Sequence, residues 1–299
     1  MRATRAAPFL FKTACVAGLV ALAYFAKGPA RAQARSAHTL TSHDGTRLAY
    51  DKRGRGPALI LVGGALSDRS GAVELAQLLA TRYTVYSYDR RGRGGSTDTP
   101  PYVVQREIED LEALIDAAGG SAYVYGKSSG AALALQAASA LGGKVRKLAL
   151  YEAPYSEADG AATEWQAFRA RLDTLLAADR RAEAIAAFMK FVGAPDEAVA
   201  KLKASPAWAG MMAMAPTLAY DNAVLGDDRS VPVAIAGQVR APTLVMDGGA
   251  SVGPMPFMRR TADRIAAAIP GARRQVITGQ AHDVSAKALA PALFQFFGH

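Results

Sequence analysis

The chain has 299 residues, of which 51% are hydrophobic, which is enough for one large α/β domain with an insertion or for two small domains. Its 35 basic and 26 acidic residues give a net charge of +9, but five of the basic residues and no acidic residue lie within 1–32, so cleavage there would leave 30 against 26, or +4. Such a mildly basic protein gives no indication of nucleic-acid binding. The only cysteine, Cys15, lies in the same segment, which excludes thiol catalysis, thiolate metal sites and disulfides from the rest of the chain.

Residues 1–34 have the composition of an export signal. Basic residues precede a short apolar run over 13–26, and an Ala-x-Ala site follows at 30–32. An uncleaved membrane anchor is the alternative, although a helix that spans a bilayer needs about 20 apolar residues. We therefore predict a signal peptide or N-terminal anchor over 1–34, a periplasmic or secreted protein, and a folded domain over 35–299.

The first predicted elements are strands. Residues 38–50 predict two strands joined at the turn Asp44-Gly45, because turn-forming residues separate two alternating segments. The run Ala-Leu-Ile-Leu-Val at 58–62 is wholly apolar, which is typical of a strand buried on both faces, and Gly63-Gly64 ends it. Apolar residues at helical spacing predict a helix over 73–82.

A further strand is predicted at 83–88, and it runs into Asp-Arg-Arg-Gly-Arg-Gly-Gly-Ser at 89–96. Apolar side chains at helical spacing then predict a helix over 104–115. Strands that alternate with helices are typical of a parallel sheet covered on both faces. The predicted fold class is therefore a doubly wound α/β domain.

The stretch from Tyr123 to Gly130 carries the functional argument. It predicts a buried strand that stops at Gly126-Lys-Ser-Ser-Gly130 and turns directly into a helix of small residues. These five residues match the Gly-x-Ser-x-Gly nucleophile elbow. The glycines are needed because larger side chains would collide with each other and with the flanking strands. Ser128 is therefore the candidate nucleophile, at the N-terminus of a helix whose dipole favours negative charge.

After a strand predicted at 145–151, the alternation lapses between residues 156 and 235, and we predict a helical lid there. The segment is rich in alanine, with two apolar stripes at helical spacing and one cluster near its end. The stripes are Trp165, Phe168, Leu172, Leu175 and Leu176, and Ile185, Phe188, Met189 and Val192; the cluster is Trp208, Met211, Met212 and Met214. These side chains either contact substrate or, as is commoner, pack the lid helices together.

The sheet is predicted to resume with a strand at 241–247, a helix over 256–268 and a strand at 274–278. The loop at 279–285 then leads into the last helix.

A serine hydroxyl needs an adjacent base to act as a nucleophile. Two of the four histidines, His38 and His43, lie on the N-terminal hairpin, and His299 is the final residue. His282 follows a late strand, where the edge of the sheet can present it to Ser128. It is therefore the candidate base.

In this order the motifs resemble the α/β-hydrolase superfamily. The matching segments are Leu-Val-Gly-Gly at 61–64, Tyr-Asp-Arg-Arg-Gly-Arg-Gly-Gly-Ser at 88–96, the elbow at 126–130, Ala-Pro-Thr-Leu-Val at 241–245 and Gly-Gln-Ala-His at 279–282. The resemblance implies a mostly parallel eight-stranded sheet with the lid between strands 6 and 7. The arginines of 89–96 are a hallmark of the family or, alternatively, part of a solvated turn, and we assign them no catalytic role.

The resemblance also implies an oxyanion hole formed by the backbone N–H groups of Ser129 and Gly64. The chain departs from the family pattern at two positions. Val62 stands where a histidine is common, which removes a side chain but no backbone donor. Ser251 stands where the family usually has the aspartate of a Gly-x-x-Asp turn.

Two carboxylates are therefore candidates for the acid that supports the histidine. Glu152 ends one strand, where some relatives carry a glutamate, and Asp247 ends the next. We favour Glu152 because a glutamate directly after a buried strand needs a partner to offset its desolvation. Asp247 is the alternative acid, and the carboxylate not used is expected to bind loop backbone. Asp283 is a weaker candidate, because neighbouring side chains such as its own and that of His282 rarely face each other.

The predicted function is hydrolysis of small esters, thioesters or lactones through an acyl-enzyme on Ser128. Relatives that open epoxides or remove halide carry an aspartate at the elbow, so Ser128 argues against both.

The alternatives are a cofactor-free perhydrolase or haloperoxidase-like enzyme, a carbon–carbon bond hydrolase, and a non-catalytic small-molecule binding protein of the same fold. We expect a small acyl substrate, no metal and no cofactor, and membrane contact only through an uncleaved N-terminal segment. The run Gly126-Lys-Ser-Ser lacks the upstream glycine of a P-loop.

Overall fold

The computed structural model describes residues 38–253 and 255–298. The predicted export signal at 1–34 lies outside these residues. Within the described residues, no helix combines the length and the apolar character that a bilayer crossing needs.

An eight-stranded sheet forms the centre of the fold. The strands are β1 (His38–Thr41), β2 (Arg47–Arg53), β3 (Ala58–Val62), β4 (Thr84–Tyr88), β5 (Ala122–Lys127), β6 (Val145–Tyr151), β7 (Thr243–Gly248) and β8 (Arg273–Ile277), in the spatial order β1-β2-β4-β3-β5-β6-β7-β8. β2 is antiparallel to both β1 and β4, and the remaining pairs are parallel. The predicted doubly wound, mostly parallel fold is confirmed. The carboxyl ends of the parallel strands β3 to β8 therefore lie at one edge of the sheet, where binding and catalytic sites form in such folds.

Helices cover both faces of this sheet. One layer contains α1 (Val73–Leu79) and α11 (Ala286–Phe297), and the other contains α2 (Val104–Ala117), α3 (Ser129–Leu141) and α10 (Phe257–Ala268). Neighbouring strand residues face opposite layers: Ile60 belongs to the core under α2 and α3, whereas Leu59 belongs to the core under α1 and α11. Burial on both faces explains why the parallel strands are apolar throughout.

Six helices lie between β6 and β7, in the segment predicted as the lid. They are α4 (Ala161–Ala177), α5 (Arg181–Phe191), α6 (Asp196–Lys203), α7 (Trp208–Met214), α8 (Leu218–Leu225) and α9 (Val233–Ala236). The prediction that Val192 continues an apolar stripe is wrong: α5 ends at Phe191, and Val192 is 42% exposed. Met211 and Met214 are buried in the same hydrophobic cluster as the strand residue Ile60, which favours packing as their role.

Candidate active site

The elbow is as tight as the Gly-x-Ser-x-Gly spacing predicts. Ser128 lies directly between β5 and α3, with φ 57° and ψ −132°. A Cβ at Gly126 would lie 2.4 Å from the carbonyl oxygen of Gly130, and a Cβ at Gly130 would lie 2.4 Å from that of Val62. Real Cβ atoms do not come this close to backbone, so both positions require glycine. The backbone strain at Ser128 costs about 1–3 kcal/mol, and such strain clusters at functional sites.

Backbone hydrogen bonds hold the elbow on both sides. The N–H of Ser128 donates to the carbonyl oxygen of Tyr151 on β6 at 3.0 Å. Its carbonyl oxygen accepts from the N–H groups of Ala131 and Ala132, at 2.8 and 3.2 Å. Ser128 itself is only half-buried, so its hydroxyl is fixed and still accessible.

The two residues predicted to supply the oxyanion-hole donors flank this serine. A Cβ at Gly64 would lie 2.9 Å from Ser128 Cβ and 3.5 Å from Ser128 Oγ, so the Gly64 backbone lies directly against the nucleophile. Ser129 is the first residue of α3, and the N–H groups of a first helical turn have no acceptor within the helix. The donor role of Gly64 and Ser129 stays a prediction that this placement supports.

Glu152 is the carboxylate in contact with His282. Its Oε2 lies 2.7 Å from His282 Nδ1, and its Oε1 accepts a hydrogen bond from the Gly248 N–H at 2.8 Å. Glu152 is 2% exposed and has a left-handed backbone, with φ 47°. When the Nδ1–H of neutral His282 donates to Glu152, the lone pair remains on Nε2, which is the arrangement that a general base needs.

The surroundings of Glu152 keep it charged. Burial alone would raise the pKa of its carboxyl group, but the hydrogen bond and charge of His282, together with the Ser251 hydroxyl and the Gly248 N–H, hold that pKa below its usual range. The Ser251 hydroxyl lowers the pKa of Glu152 through its proximity. Its buried Oγ makes no hydrogen bond of normal geometry with any residue that the structure describes. A charged Glu152 stabilises the imidazolium that forms when His282 accepts a proton.

The other two candidate acids have different partners. Asp247 is fully buried, and its carboxylate pairs with Arg274 Nη2 at 2.6 Å and Arg259 Nε at 3.2 Å. Among the described residues its partners are these arginine side chains and not loop backbone, which corrects our expectation for the unused carboxylate. Asp283 Oδ1 lies 3.8 Å from Lys127 Nζ. Of the three carboxylates considered, Glu152 is the one that the structure brings to His282.

Neighbouring strands hold the loop that carries His282. Tyr151 Oη donates to the carbonyl oxygen of Ala281 at 2.6 Å, and the N–H of Ala250 donates to that of Gln280 at 2.8 Å. These bonds join the loop after β8 to β6 and to the loop after β7. The position of the imidazole is therefore set by the sheet edge and not by the loop alone.

The arginines of 89–96 are buried, so the solvated-turn alternative is wrong. Arg90, Arg91 and Arg93 are 2%, 0% and 1% exposed. Arg90 makes two hydrogen bonds of 2.6 Å to Glu107, and Arg91 makes two of 2.8 Å to Asp110. Paired guanidinium and carboxylate groups are the usual way in which proteins accommodate buried charge.

Asp221, which no sequence motif indicates, joins this arginine cluster to the elbow. Asp221 lies on the lid helix α8 and accepts a hydrogen bond from Ser129 Oγ at 2.7 Å. The signal in the sequence is an acidic residue on the buried side of a mainly apolar helix, Leu-Ala-Tyr-Asp-Asn-Ala-Val-Leu. Nothing in the sequence indicates what its partners are.

The part of the chain that the structure describes contains no group of three or more His, Cys, Asp or Glu side chains arranged to hold a metal ion. At the carboxyl edge of the sheet Glu152 contacts His282, and Ser128 follows the end of the neighbouring strand β5 at the same edge. This set can perform nucleophilic and general-base chemistry.

Comparisons with known proteins agree with this geometry. The model of the alpha/beta hydrolase family matches residues 58–292. The crystal structure of an alpha/beta hydrolase from Sphaerobacter thermophilus is 49% identical, with a TM-score of 0.79 over 87% of this chain and 100% of that chain. A hydrolase from Pseudomonas aeruginosa is 25% identical, with a TM-score of 0.66 over 89% of this chain and 100% of that chain. Among curated proteins, the uncharacterized hydrolase YraK of Bacillus subtilis is 37% identical over 95 residues, which are 30% of this chain and 35% of YraK, so the match spans about a third of that relative.

Proposed function

Because this chain belongs to the alpha/beta hydrolase family, we propose that it is a serine hydrolase that cleaves small carboxylic esters, thioesters or lactones through an acyl-enzyme on Ser128. The observation that supports this most is the 2.7 Å contact between Glu152 Oε2 and His282 Nδ1. A buried, charged carboxylate behind an imidazole has the role of orienting a general base, and the strained elbow serine supplies the nucleophile.

In the proposed reaction, His282 Nε2 takes the proton of Ser128 Oγ as that oxygen attacks the carbonyl carbon of the substrate. The carbonyl oxygen becomes an oxyanion, to which the N–H groups of Ser129 and Gly64 donate. His282 then gives the proton to the leaving alkoxide or thiolate, and the acyl group stays on Ser128. Water, deprotonated by His282, then attacks the acyl carbon. The bond between this carbon and Ser128 Oγ breaks, His282 returns the proton to Oγ, and the carboxylic acid leaves.

The backbone donors carry much of the expected rate enhancement. They are fixed before charge develops on the substrate oxygen, and removal of one oxyanion donor in an enzyme of this kind costs about 10²–10³ in kcat. The N-terminus of α3 adds the favourable end of a helix dipole at the same place.

The non-catalytic alternative loses its main support. That alternative was favoured by Ser251, which replaces the aspartate of the Gly-x-x-Asp turn. Because Glu152 contacts His282, a carboxylate is available to the histidine from another strand. The perhydrolase and carbon–carbon hydrolase alternatives keep the same three side chains but change the chemistry: the first passes the acyl group to hydrogen peroxide, and the second breaks a carbon–carbon bond.

A substrate panel tests the proposal. We expect the purified protein to hydrolyse p-nitrophenyl esters of short acyl chains or simple lactones, and we expect Ser128→Ala to abolish that activity. Peracid formation from acetate and hydrogen peroxide in excess of ester hydrolysis would favour the perhydrolase alternative. An enzyme that hydrolyses none of these compounds, or a Ser128→Ala variant as active as wild type, would contradict the proposal.

Export is a second part of the proposal, and it depends on the composition of residues 1–34. The N-terminus of the protein recovered from the periplasm or the medium of an expressing cell should follow residue 32 or lie close to it. Retention of the full chain in the membrane fraction would favour the anchored alternative. Recovery of the full chain in the soluble cytoplasmic fraction would contradict export.

A further inference from the structure

We propose that Asp221 of the lid is a positioning residue for the oxyanion hole, so that helix α8 is a permanent part of the active site and not a removable cover. One carboxylate on this helix is tied to both residues from which the oxyanion-hole donors are expected, Ser129 and Gly64. This inference rests on the proposed serine-hydrolase function, because it concerns how the same site is held.

The first tie runs through the side chain of Ser129. Its Oγ donates to Asp221 Oδ1 at 2.7 Å, and the residue is 2% exposed. The backbone N–H of the same residue lies in the first turn of α3 and has no acceptor within the helix, so it is available to an oxyanion. Anchoring the side chain restricts the direction in which this N–H points.

The second tie runs through two buried arginines to Gly64. Arg93 Nη1 donates to the carbonyl oxygen of Gly64 at 2.6 Å, and Arg90 Nη1 donates a longer bond to that of Gly63 at 3.4 Å. These carbonyls belong to the peptide units on either side of the Gly64 Cα. Because a peptide unit is planar, holding both carbonyls also fixes the direction of the Gly64 N–H.

Asp221 holds both of these arginines. Arg90 Nη1 donates to its Oδ1 at 2.7 Å, and Arg93 Nη2 donates to its Oδ2 and Oδ1 at 2.9 and 3.0 Å. Asp221 is 3% exposed, and burial alone would raise its pKa. The charges of Arg93 and Arg90 and the hydrogen bond from Ser129 outweigh burial and lower that pKa, so the carboxylate is charged at neutral pH.

The cluster acts through geometry and not through net charge. Its two guanidinium groups, on Arg90 and Arg93, are matched by two carboxylates, on Asp221 and Glu107. These four side chains therefore add no net charge beside the developing oxyanion, and their contribution is to keep the donors aligned before the reaction. Asp221→Asn separates the two mechanisms. It leaves two cations against one anion, so an electrostatic role would raise kcat, whereas a positioning role lowers it.

The mildest test is Ser129→Ala, which removes one hydroxyl and leaves every charge in place. We expect kcat for a p-nitrophenyl ester to fall about 10-fold with KM within about twofold, because alignment matters most in the transition state. Arg93→Lys keeps the positive charge but loses the planar guanidinium group, which donates to both Gly64 and Asp221. We expect kcat to fall about 10²-fold in this variant. The acidic limb of the pH profile should not move in Ser129→Ala, since Glu152 and His282 are untouched.

Tyr220→Phe is the matched control, because Tyr220 precedes Asp221 on the same helix. Its hydroxyl donates to Asp98, outside the arginine cluster, and its ring stacks on Tyr102, which the substitution keeps. This variant removes a contact that holds the lid without touching Ser129 or the arginines. We expect its kcat to equal that of wild type.

The outcomes separate this inference from the function on which it rests. The positioning role would be overturned if wild type hydrolyses esters and reacts with a fluorophosphonate, while Ser129→Ala and Arg93→Lys keep the kcat of wild type. That result would leave the proposed serine hydrolase in place. A loss of the same size in Tyr220→Phe, or a higher kcat in Asp221→Asn, would also overturn the positioning role. A wild type that neither hydrolyses esters nor reacts with a fluorophosphonate would remove the proposed function, and this inference with it.

Removing one partner of a buried charge cluster destabilises a fold, so a thermal melt accompanies each assay. Where a charge variant does not fold, the result for Ser129→Ala decides.

Discussion

Glu152 and His282 are 130 residues apart in the chain and 2.7 Å apart in the structure. The contact forms because β6 and β8 lie two strands apart in one parallel sheet, with their carboxyl ends at the same edge. Glu152 has the left-handed backbone of a residue held against its preference, and its second oxygen is fixed by the Gly248 N–H. The carboxylate is therefore oriented from both sides before any substrate arrives.

Substitution of the two candidate acids should have unequal effects. Glu152→Gln keeps the shape of the side chain but removes the charge and allows the wrong histidine tautomer, so we expect kcat to fall about 10³- to 10⁴-fold. Asp247→Asn disturbs only the pairs with Arg274 and Arg259, and we expect kcat within about threefold of wild type and a lower melting temperature. Steady-state kinetics on one ester, with thermal melts, check both. The reverse pattern would reassign the acid to Asp247.

The depressed pKa of Glu152 predicts how its contribution to stability depends on pH. A group whose folded-state pKa lies below its unfolded value stabilises the fold above the unfolded value, about 4.3 for glutamate, and loses that effect as the pH falls through the folded value. The difference in unfolding free energy between wild type and Glu152→Gln should therefore be smaller below about pH 4 than at about pH 5. Urea unfolding on either side of this transition measures it. A difference that grows in acid would contradict the sign.

The elbow glycines predict a steric effect on folding. A Cβ at Gly126 meets the Gly130 carbonyl oxygen at 2.4 Å, so Gly126→Ala should cost 1–3 kcal/mol or more of stability and distort Ser128. Gly210→Ala is the control, since no atom outside its own helix lies within 4 Å of the added Cβ, and alanine stabilises a helix interior by about 0.5–1 kcal/mol. Thermal melts and ester hydrolysis compare the two. A Gly126→Ala variant that is as stable and active as wild type would contradict the close packing of the elbow.

Ser251→Asp tests whether a carboxylate in the turn after β7 can replace that of Glu152. The Ser251 hydroxyl acts on Glu152 from this turn, where the family resemblance leads us to expect an aspartate, and the residue is 1% exposed. Ser251→Asp alone should lower both stability and kcat, because two carboxylates then share one buried site. In the Glu152→Gln background the same substitution should raise kcat about 10-fold, since a carboxylate again supports the histidine. If the double variant is no faster than Glu152→Gln, the turn after β7 does not reach His282.

Local steric rules made much of this site predictable from sequence. The elbow follows from the need for two glycines around a strained serine, and the apolar parallel strands follow from burial on both faces. The elbow motif indicates Ser128. The position of His282 after a late strand indicates the base, since strand ends converge at one edge of a parallel sheet.

Side chains with distant partners were not predictable in this way. Glu152 follows β6 and Asp247 lies near the end of β7. The expected cost of desolvation favoured Glu152, which does contact His282, but it did not identify the arginine partners of Asp247. Arg90 looks like a residue of a solvated turn, because its partners Glu107 and Asp221 lie 17 and 131 residues away. Buried ion pairs leave no periodic pattern in a sequence, so their members cannot be told from surface charges until the partners are known.

Covalent labelling tests most directly whether Ser128 is the nucleophile of a hydrolase. A fluorophosphonate forms a stable bond with an activated serine, and the adduct can be located by mass spectrometry of proteolytic peptides. We predict one adduct per chain, on the peptide that contains Ser128, with parallel loss of ester hydrolysis, and no adduct in Ser128→Ala. An unlabelled wild type, or labelling that persists in Ser128→Ala, would show that Ser128 is not the nucleophile.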